Sequence, residues 1–171
     1  MSEKQILFVC TGNSCRSVMA EHLLNRLLSQ AGVSGVSTSS AGVFAVEGMA
    51  ATSETQRVLQ AIGIDATEHR ARTVTAPLVE RADLVLVMEP FQREELLRRF
   101  PQAAGKVHLL KTYGQSESGP AHSLVIPDPI GKPMEVYEVC FSMIEEGIER
   151  LAKSLGVPLP PPPPGAADPL R

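Results

Sequence analysis

A short apolar run, Gln5-Ile6-Leu7-Phe8-Val9-Cys10, passes through a polar turn, Thr11-Gly12-Asn13-Ser14-Cys15, into a segment with helical spacing. The run is too short for a helix, and its unbroken apolar character reads as a strand buried on both faces. From about Arg16 to Ala31, Met19, Ala20, Leu23, Leu24, Leu27 and Leu28 recur on one helical stripe, and Gly32 ends it. A buried strand that feeds straight into a helix is the opening of a parallel α/β sheet.

The rest of the chain continues that alternation. Val33 to Ser40 alternates weakly and is a second strand candidate. Ser53-Glu54-Thr55-Gln56 reads as a capping box, opening a helix with Val58, Leu59 and Ile62 on its apolar face and Gly63 at its end. Ala82 to Met88 contains Leu84-Val85-Leu86-Val87-Met88, a central strand. Pro90 opens a third helix and Pro101 closes it after Phe100. Val107 to Leu110 is a short strand. Residues 112 to 129, with Gly114, Gly119, Pro120, Pro127 and Pro129, form a long loop of the kind that often carries function. A final helix from about Pro133 to Leu155 places Val136, Cys140, Ile144, Ile148, Leu151 and Leu155 on one stripe.

The expectation is a small doubly wound α/β domain over residues 1–156, a four-stranded parallel sheet with helices on both faces. Ligands in such sheets bind beyond the carboxyl ends of the strands, where Cys10 lies. Residues 157–171 change composition: Pro158, Pro160 to Pro164 and Gly165-Ala166-Ala167 make a proline-rich tail, expected to be extended or disordered. Such a tail can present a polyproline ligand to a partner.

Charge and cysteine content remove several function classes. A net charge of −3 carries no nucleic-acid footprint, and no apolar run has membrane-spanning length. Met1 to Gln5 shows no secretory signal, which points to the cytoplasm. Three cysteines, Cys10, Cys15 and Cys140, are too few for a disulfide scaffold or a four-cysteine zinc site, and no metal is expected.

Chemistry concentrates in Cys10-Thr11-Gly12-Asn13-Ser14-Cys15-Arg16-Ser17. A tight turn between a strand and a helix N-terminus aims backbone N–H groups at an anion, and the helix adds partial positive charge. Arg16 can clamp two phosphate oxygens with its planar fork. Gly12 permits unusual backbone angles, and Asn13 tolerates the left-handed region. The same positive field favours a thiolate on Cys10, a nucleophile aimed at a phosphorus atom, and the Ser17 hydroxyl can donate to it. The bland alternative is an inert buried Cys10 closing a strand, with Arg16 on a helix surface.

Val9 to Ser17, followed by Met19-Ala20-Glu21, resembles the phosphate loop of the low-molecular-weight protein phosphatases. The resemblance continues through Ser40-Ala41-Gly42, His69-Arg70-Ala71-Arg72, Ala82 to Met88 and Asp128-Pro129, covering about residues 4 to 155. Val18 departs from it, since the family commonly has Pro there. The resemblance implies that Cys10 attacks phosphorus to give a phosphocysteine. Arg16 and the loop residues Thr11, Gly12, Asn13, Ser14, Cys15 and Ser17 hold the phosphate. Asp128 protonates the leaving group and then activates water, with no cofactor. It also implies that Asn13, Ser40 and His69 form a network that supports the loop. Cys15 is expected to act as a redox partner, forming a reversible disulfide with Cys10. Cys140, on the helical stripe, is expected to pack in the core, and His22, His108 and His122 are read as surface or structural.

The substrates implied are phosphorylated proteins, and the target residue divides the readings. Protein-arginine phosphatase is slightly favoured over protein-tyrosine phosphatase. Tyrosine-preferring relatives usually carry aromatics after Asp-Pro, whereas Ile130 and Gly131 follow here. Ser14 stands where tyrosine phosphatases have a bulky aliphatic and arginine phosphatases have Thr. Ser40 to Ala45 resembles the arginine-phosphatase loop, although those enzymes usually have Phe where Ile130 stands. Glu47 and Glu89 are candidates for an acidic rim that attracts a guanidinium. Arsenate reductase is less favoured, because Val87 to Gln92 lacks the relay cysteines that follow the third strand in those enzymes. A catalytically dead phosphate-binding module is disfavoured because nucleophile, arginine and acid are all present.

Overall fold

In the computed structural model, which describes residues 3–161, strand β1 (Lys4–Cys10) carries the apolar run into the centre of a sheet. The strands are β1, β2 (Val36–Gly42), β3 (Leu84–Val87) and β4 (Val107–Leu109). All pair in parallel, in the order β2-β1-β3-β4. Alternate residues of β1 and β3 face opposite cores. Ile6, Phe8, Leu84 and Leu86 meet helices α1 (Arg16–Gln30), α2 (Ser53–Ala61) and α5 (Met134–Ser154). Leu7, Val9, Val85 and Val87 meet α3 (Ala76–Arg81) and α4 (Pro90–Arg99). The doubly wound α/β architecture is therefore as expected. The chain leaves β1 for β2 on one side and β3 takes the other, so the order switches direction beside Cys10.

Local chemistry explains the boundaries that differ from expectation. Val33 is not a strand residue. Its N–H returns to Leu28 O at 3.0 Å across Gly32 (φ 64°), a Schellman closure of α1. The β1 ladder then sets the second strand at Val36–Gly42, pairing Phe8 with Ser40 and Cys10 with Gly42. The cap of α2 is Thr52, not Ser53. Thr52 Oγ1 accepts from Thr55 N–H at 3.2 Å, and the Gln56 side chain turns to Ala51 O. Helix α3 was not anticipated. At six residues it shows no periodicity, and Pro77 sits in its first turn, where its missing N–H costs nothing. Within the long loop, Ala121–Leu124 forms a 3-10 turn.

On α5 the buried side chains include Tyr137, Cys140, Phe141, Ile144, Ile148 and Leu151, whereas Val136 is exposed. Cys140, Ile144, Ile148 and Leu151 of the expected stripe are thus buried and Leu155 packs against the core, so that Val136 is the one departure from it. Burying Phe141, Ile144, Ile148 and Leu151 contributes about 6–12 kcal/mol at roughly 1.5–3 kcal/mol each. That rivals the whole net stability of a typical domain, about 5–15 kcal/mol. The expected domain boundary after Gly156 falls short, because Val157 is buried and Leu159 packs against the same core. Residues 162–171 of the expected proline-rich tail, and with them its reading as a partner ligand, lie outside the described residues. No helix among the described residues is long and apolar enough to cross a membrane.

Candidate active site

Cys10 ends β1, and the chain turns through Thr11 to Cys15 before α1 begins at Arg16. No side chain caps α1, and its first turn holds no acidic residue. Its leading N–H groups and partial positive charge are therefore directed at the turn. Asn13 adopts φ 54°, the sole positive φ outside glycine among the described residues. Gly12 does not use the left-handed region, which corrects the expectation for it. A Cβ placed there would meet Ser14 Oγ at 3.5 Å, an ordinary contact.

The Cys10 thiol is buried. Its Sγ accepts from Asn13 N–H at 3.2 Å and lies 3.0 Å from the Ser17 hydroxyl. Asn13 ties the turn to its surroundings. Its Nδ2 donates to Ser17 Oγ and Ser40 Oγ, each at 2.9 Å, and its Oδ1 accepts from Arg72 N–H at 3.0 Å. The main-chain oxygen of Asn13 meets His69 Nε2 at 2.7 Å. Ser40 in turn donates to Glu21. Asn13, Ser40 and His69 are therefore in one hydrogen-bonded cluster. Burial holds His69 below the ordinary imidazole value of 6.5 despite its bond to Asn13.

Arg16 is almost completely buried, yet it is charged and paired. Its Nη1 donates to Ile126 O at 2.8 Å and pairs with Glu89 at 3.1 Å, and its Nη2 lies 3.4 Å from Asp128 Oδ2. Burial opposes the charge, but Cys10, Asp128 and Glu89 outweigh it and hold the guanidinium above its ordinary value. Asp128 lies in the long loop, 40% exposed, and its Oδ1 accepts from Ile130 N–H at 3.1 Å. A cavity of about 200 Å³ opens over the turn, lined by Cys10, Ser14, Cys15, Arg16, Asp128 and Ile130 among others. Thiol and guanidinium, from one turn, and the carboxyl, from a loop more than a hundred residues away, thus converge on one space. That arrangement can hold a tetrahedral oxyanion, attack it and protonate what leaves.

The remaining candidates separate. Cys15 is buried, with Thr52 Oγ1 at 3.5 Å and Tyr137 OH at 3.8 Å from its Sγ. Burial pushes the Tyr137 phenol and the Cys140 thiol each up to about 12, and Cys140 packs in the core. Glu47 accepts from Thr73 N–H at 2.6 Å and does not line the cavity. Glu89 is no free rim charge, because it is paired with Arg16. No group of three or more His, Cys, Asp or Glu among the described residues could hold a metal ion.

Sequence reasoning missed several contributors. Gln92 is buried, donates to Thr11 Oγ1 at 3.1 Å, and accepts from Met88 and Glu89 N–H. Glu89 and Gln92 form the capping box of α4, and the spacing Glu89-Pro90-Phe91-Gln92 is the signal that would have found it. Gly42 backs the turn: a Cβ there would lie 2.5 Å from Thr11 O and 3.0 Å from Asn13 N. Ile126 contributes only main chain, bonding Arg16 through its oxygen and Met88 O through its N–H at 2.9 Å.

Comparison with known proteins agrees with this geometry. The chain is 40% identical over 146 residues to a probable low molecular weight protein-tyrosine-phosphatase, EpsP, of Ralstonia nicotianae, covering 85% of this chain and 92% of that one. It is also 40% identical over 152 residues to a protein-arginine-phosphatase of Geobacillus stearothermophilus, covering 88% and 95%. The structure of YwlE arginine phosphatase from Geobacillus stearothermophilus superposes with a TM-score of 0.80 at 39% identity, covering 90% of this chain and 93% of that one. The tyrosine phosphatase Wzb from Escherichia coli K30, in complex with sulphate, gives 0.78 at 35%, covering 91% and 100%. Residues 5–158 match the family described as low molecular weight phosphotyrosine protein phosphatase, and it is to this family that the chain belongs.

Proposed function

We propose that this protein phosphatase dephosphorylates phosphoarginine in proteins in preference to phosphotyrosine, through a phosphocysteine on Cys10. The Cys10 thiolate attacks phosphorus, forming the S–P bond as the bond from phosphorus to the guanidine nitrogen breaks. Asp128 gives its proton to that nitrogen. Water then attacks the phosphocysteine, Asp128 takes its proton, the S–P bond breaks and inorganic phosphate leaves. Arg16, held by Glu89, Ile126 O and Asp128, joins the loop amides in stabilising the equatorial oxygens. Ser17 stabilises the departing thiolate, and Ser40 and His69 keep Asn13 in place.

One observation carries the preference. Ser14, buried and small, lines the cavity together with Ile130, and no aromatic side chain among the described residues lines it. A phenyl ring would find little apolar surface there, whereas a hydroxyl suits a guanidinium edge. The second reading, phosphotyrosine, is favoured by Phe44, which is bonded through its N–H to Thr11 O and exposes its ring stacked on Phe91. Free thiols at Cys10, Cys15 and Cys140 suit a reducing cytoplasm. Peroxide would oxidise Cys10 to a sulfenic acid, and the Cys15 thiol would then condense with it, releasing water and leaving a disulfide that spares the nucleophile.

The test is phosphate release from a phosphoarginine peptide and a phosphotyrosine peptide, side by side under reducing conditions. The expected result is a preference of about tenfold or more for phosphoarginine, narrowed or reversed in Ser14→Ile. Cys10→Ser should release nothing from either. Faster release from the phosphotyrosine peptide would install the second reading. No release from either peptide with Cys10 reduced would refute both.

A further inference from the structure

The outer edge of the sheet carries a second basic cavity, remote from Cys10 and absent from the catalytic scheme. It is an open cleft of about 270 Å³ beside edge strand β2 and α3, and Arg72, Arg81, Ser37 and Ser39 line it together with the apolar side chains of Leu78 and Ala82. Both guanidiniums are anchored in the same way. Arg72 Nε donates to Ser40 O at 3.0 Å, and Arg81 Nε donates to Pro77 O at 3.2 Å. Among the described residues, the terminal nitrogens of both have no hydrogen-bond acceptor, and neither arginine has a carboxylate within 4.0 Å. Glu47, whose carboxylate feels Arg72, is occupied by Thr73 N–H. The Ser37 and Ser39 hydroxyls are half-buried. Thr38, between them, donates instead to Asn25.

We infer that this cavity is an oxyanion site for a phosphate group, either inorganic phosphate or a phosphate monoester carried on a protein. Two exposed forks, each tethered by its Nε atom, present up to eight N–H bonds. Two hydroxyls add donors. The site is mechanically joined to the catalytic turn through one residue. Arg72 N–H donates to Asn13 Oδ1, and Arg72 O accepts from Gly42 N–H at 2.9 Å. An anion gripped by the Arg72 side chain therefore braces the main chain that holds Asn13.

The test is amide chemical-shift titration of the whole protein, with inorganic phosphate in one arm and a phosphoserine peptide in the other. Saturable shifts at Ser37 to Ser39 and at Arg81, separate from those at Thr11 to Ser17, are expected. Arg81→Gln should weaken the first set by about tenfold or more, as loss of charge-assisted hydrogen bonds implies, and leave the second unchanged. Arg81→Glu should abolish the first set. Tighter binding of the peptide assigns the site to protein-borne phosphate, and tighter binding of inorganic phosphate assigns it to the reaction's own product. No saturable shift at the edge site up to about 10 mM in either arm, or shifts unaffected by Arg81→Gln, would overturn the inference. Failure of the catalytic reading would look different: the edge set would move and the Thr11 to Ser17 set would not.

Discussion

Asn13→Ala should be among the most damaging single substitutions in the chain. The side chain is fully buried and makes three hydrogen bonds, to Ser17, Ser40 and Arg72 N–H. At roughly 0.5–1.5 kcal/mol net for each, their loss costs about 3 kcal/mol. Alanine must also hold φ near 54°, which adds about 1–2 kcal/mol. The sum is about 4–5 kcal/mol, a large share of the stability of an ordinary domain. For a domain of this size each kcal/mol lowers Tm by roughly 2–4 °C, so the expected fall is about 8–20 °C. Asn13→Gly removes the same side-chain bonds without the backbone strain and should fall less. The assay is thermal unfolding of both variants in phosphate-free buffer, because an anion in the turn would mask the defect. A Tm within about 2 °C of the parent for Asn13→Ala, or an order reversed between the two variants, would refute the claim that this residue holds the turn in shape.

Three further outcomes follow from the same geometry. Gly42→Ala places a Cβ against the main chain of Thr11 and Asn13, so the turn must move. Turnover should drop by at least about a hundredfold, in line with the effect of a displacement of about 1 Å, and a fully active variant would contradict the close packing. Asp128→Ala should slow release from substrates with poor leaving groups more than from aryl phosphates, and equal losses on both would show that Asp128 is not the proton donor. His69 is depressed in the folded state, so the unfolded chain binds more protons just below pH 6.5. Stability should therefore fall as pH drops through that window, and His69→Gln should flatten the urea-melt profile there. An unchanged slope would place the effect elsewhere.

The nucleophile turn was legible because strand, turn and helix adjoin in sequence, so Cys10 and Arg16 needed no long-range information. The buried runs of β1 and β3, and the proline punctuation of α4, were legible for the same local reason. The contacts that complete the site are long-range. Gln92 reaches Thr11 across 81 positions, and Ile126 reaches Arg16 across 110. Ile126 acts through its carbonyl, which every residue possesses, so no side-chain signal marks it. Glu89 was singled out for the wrong task. Its charge was visible, but its pairing with a buried arginine depends on how β3 sits beside β1. The start of β2 escaped because its serines and threonine carry little polarity contrast, leaving its frame to the ladder with β1.

The buried guanidinium of Arg16 has a consequence for synthesis on the ribosome. Its anchors, Glu89, Ile126 O and Asp128, are translated long after it. At roughly 5–20 residues per second, the 110 positions separating Arg16 from Ile126 take about 5–22 seconds to translate. A nascent chain that has already exposed its thiol therefore lacks an assembled phosphate grip throughout that interval. Until the Asp128 loop has emerged, the Arg16 guanidinium lacks the full set of partners that the folded protein gives it, so under the proposed mechanism the turn is not yet competent for catalysis.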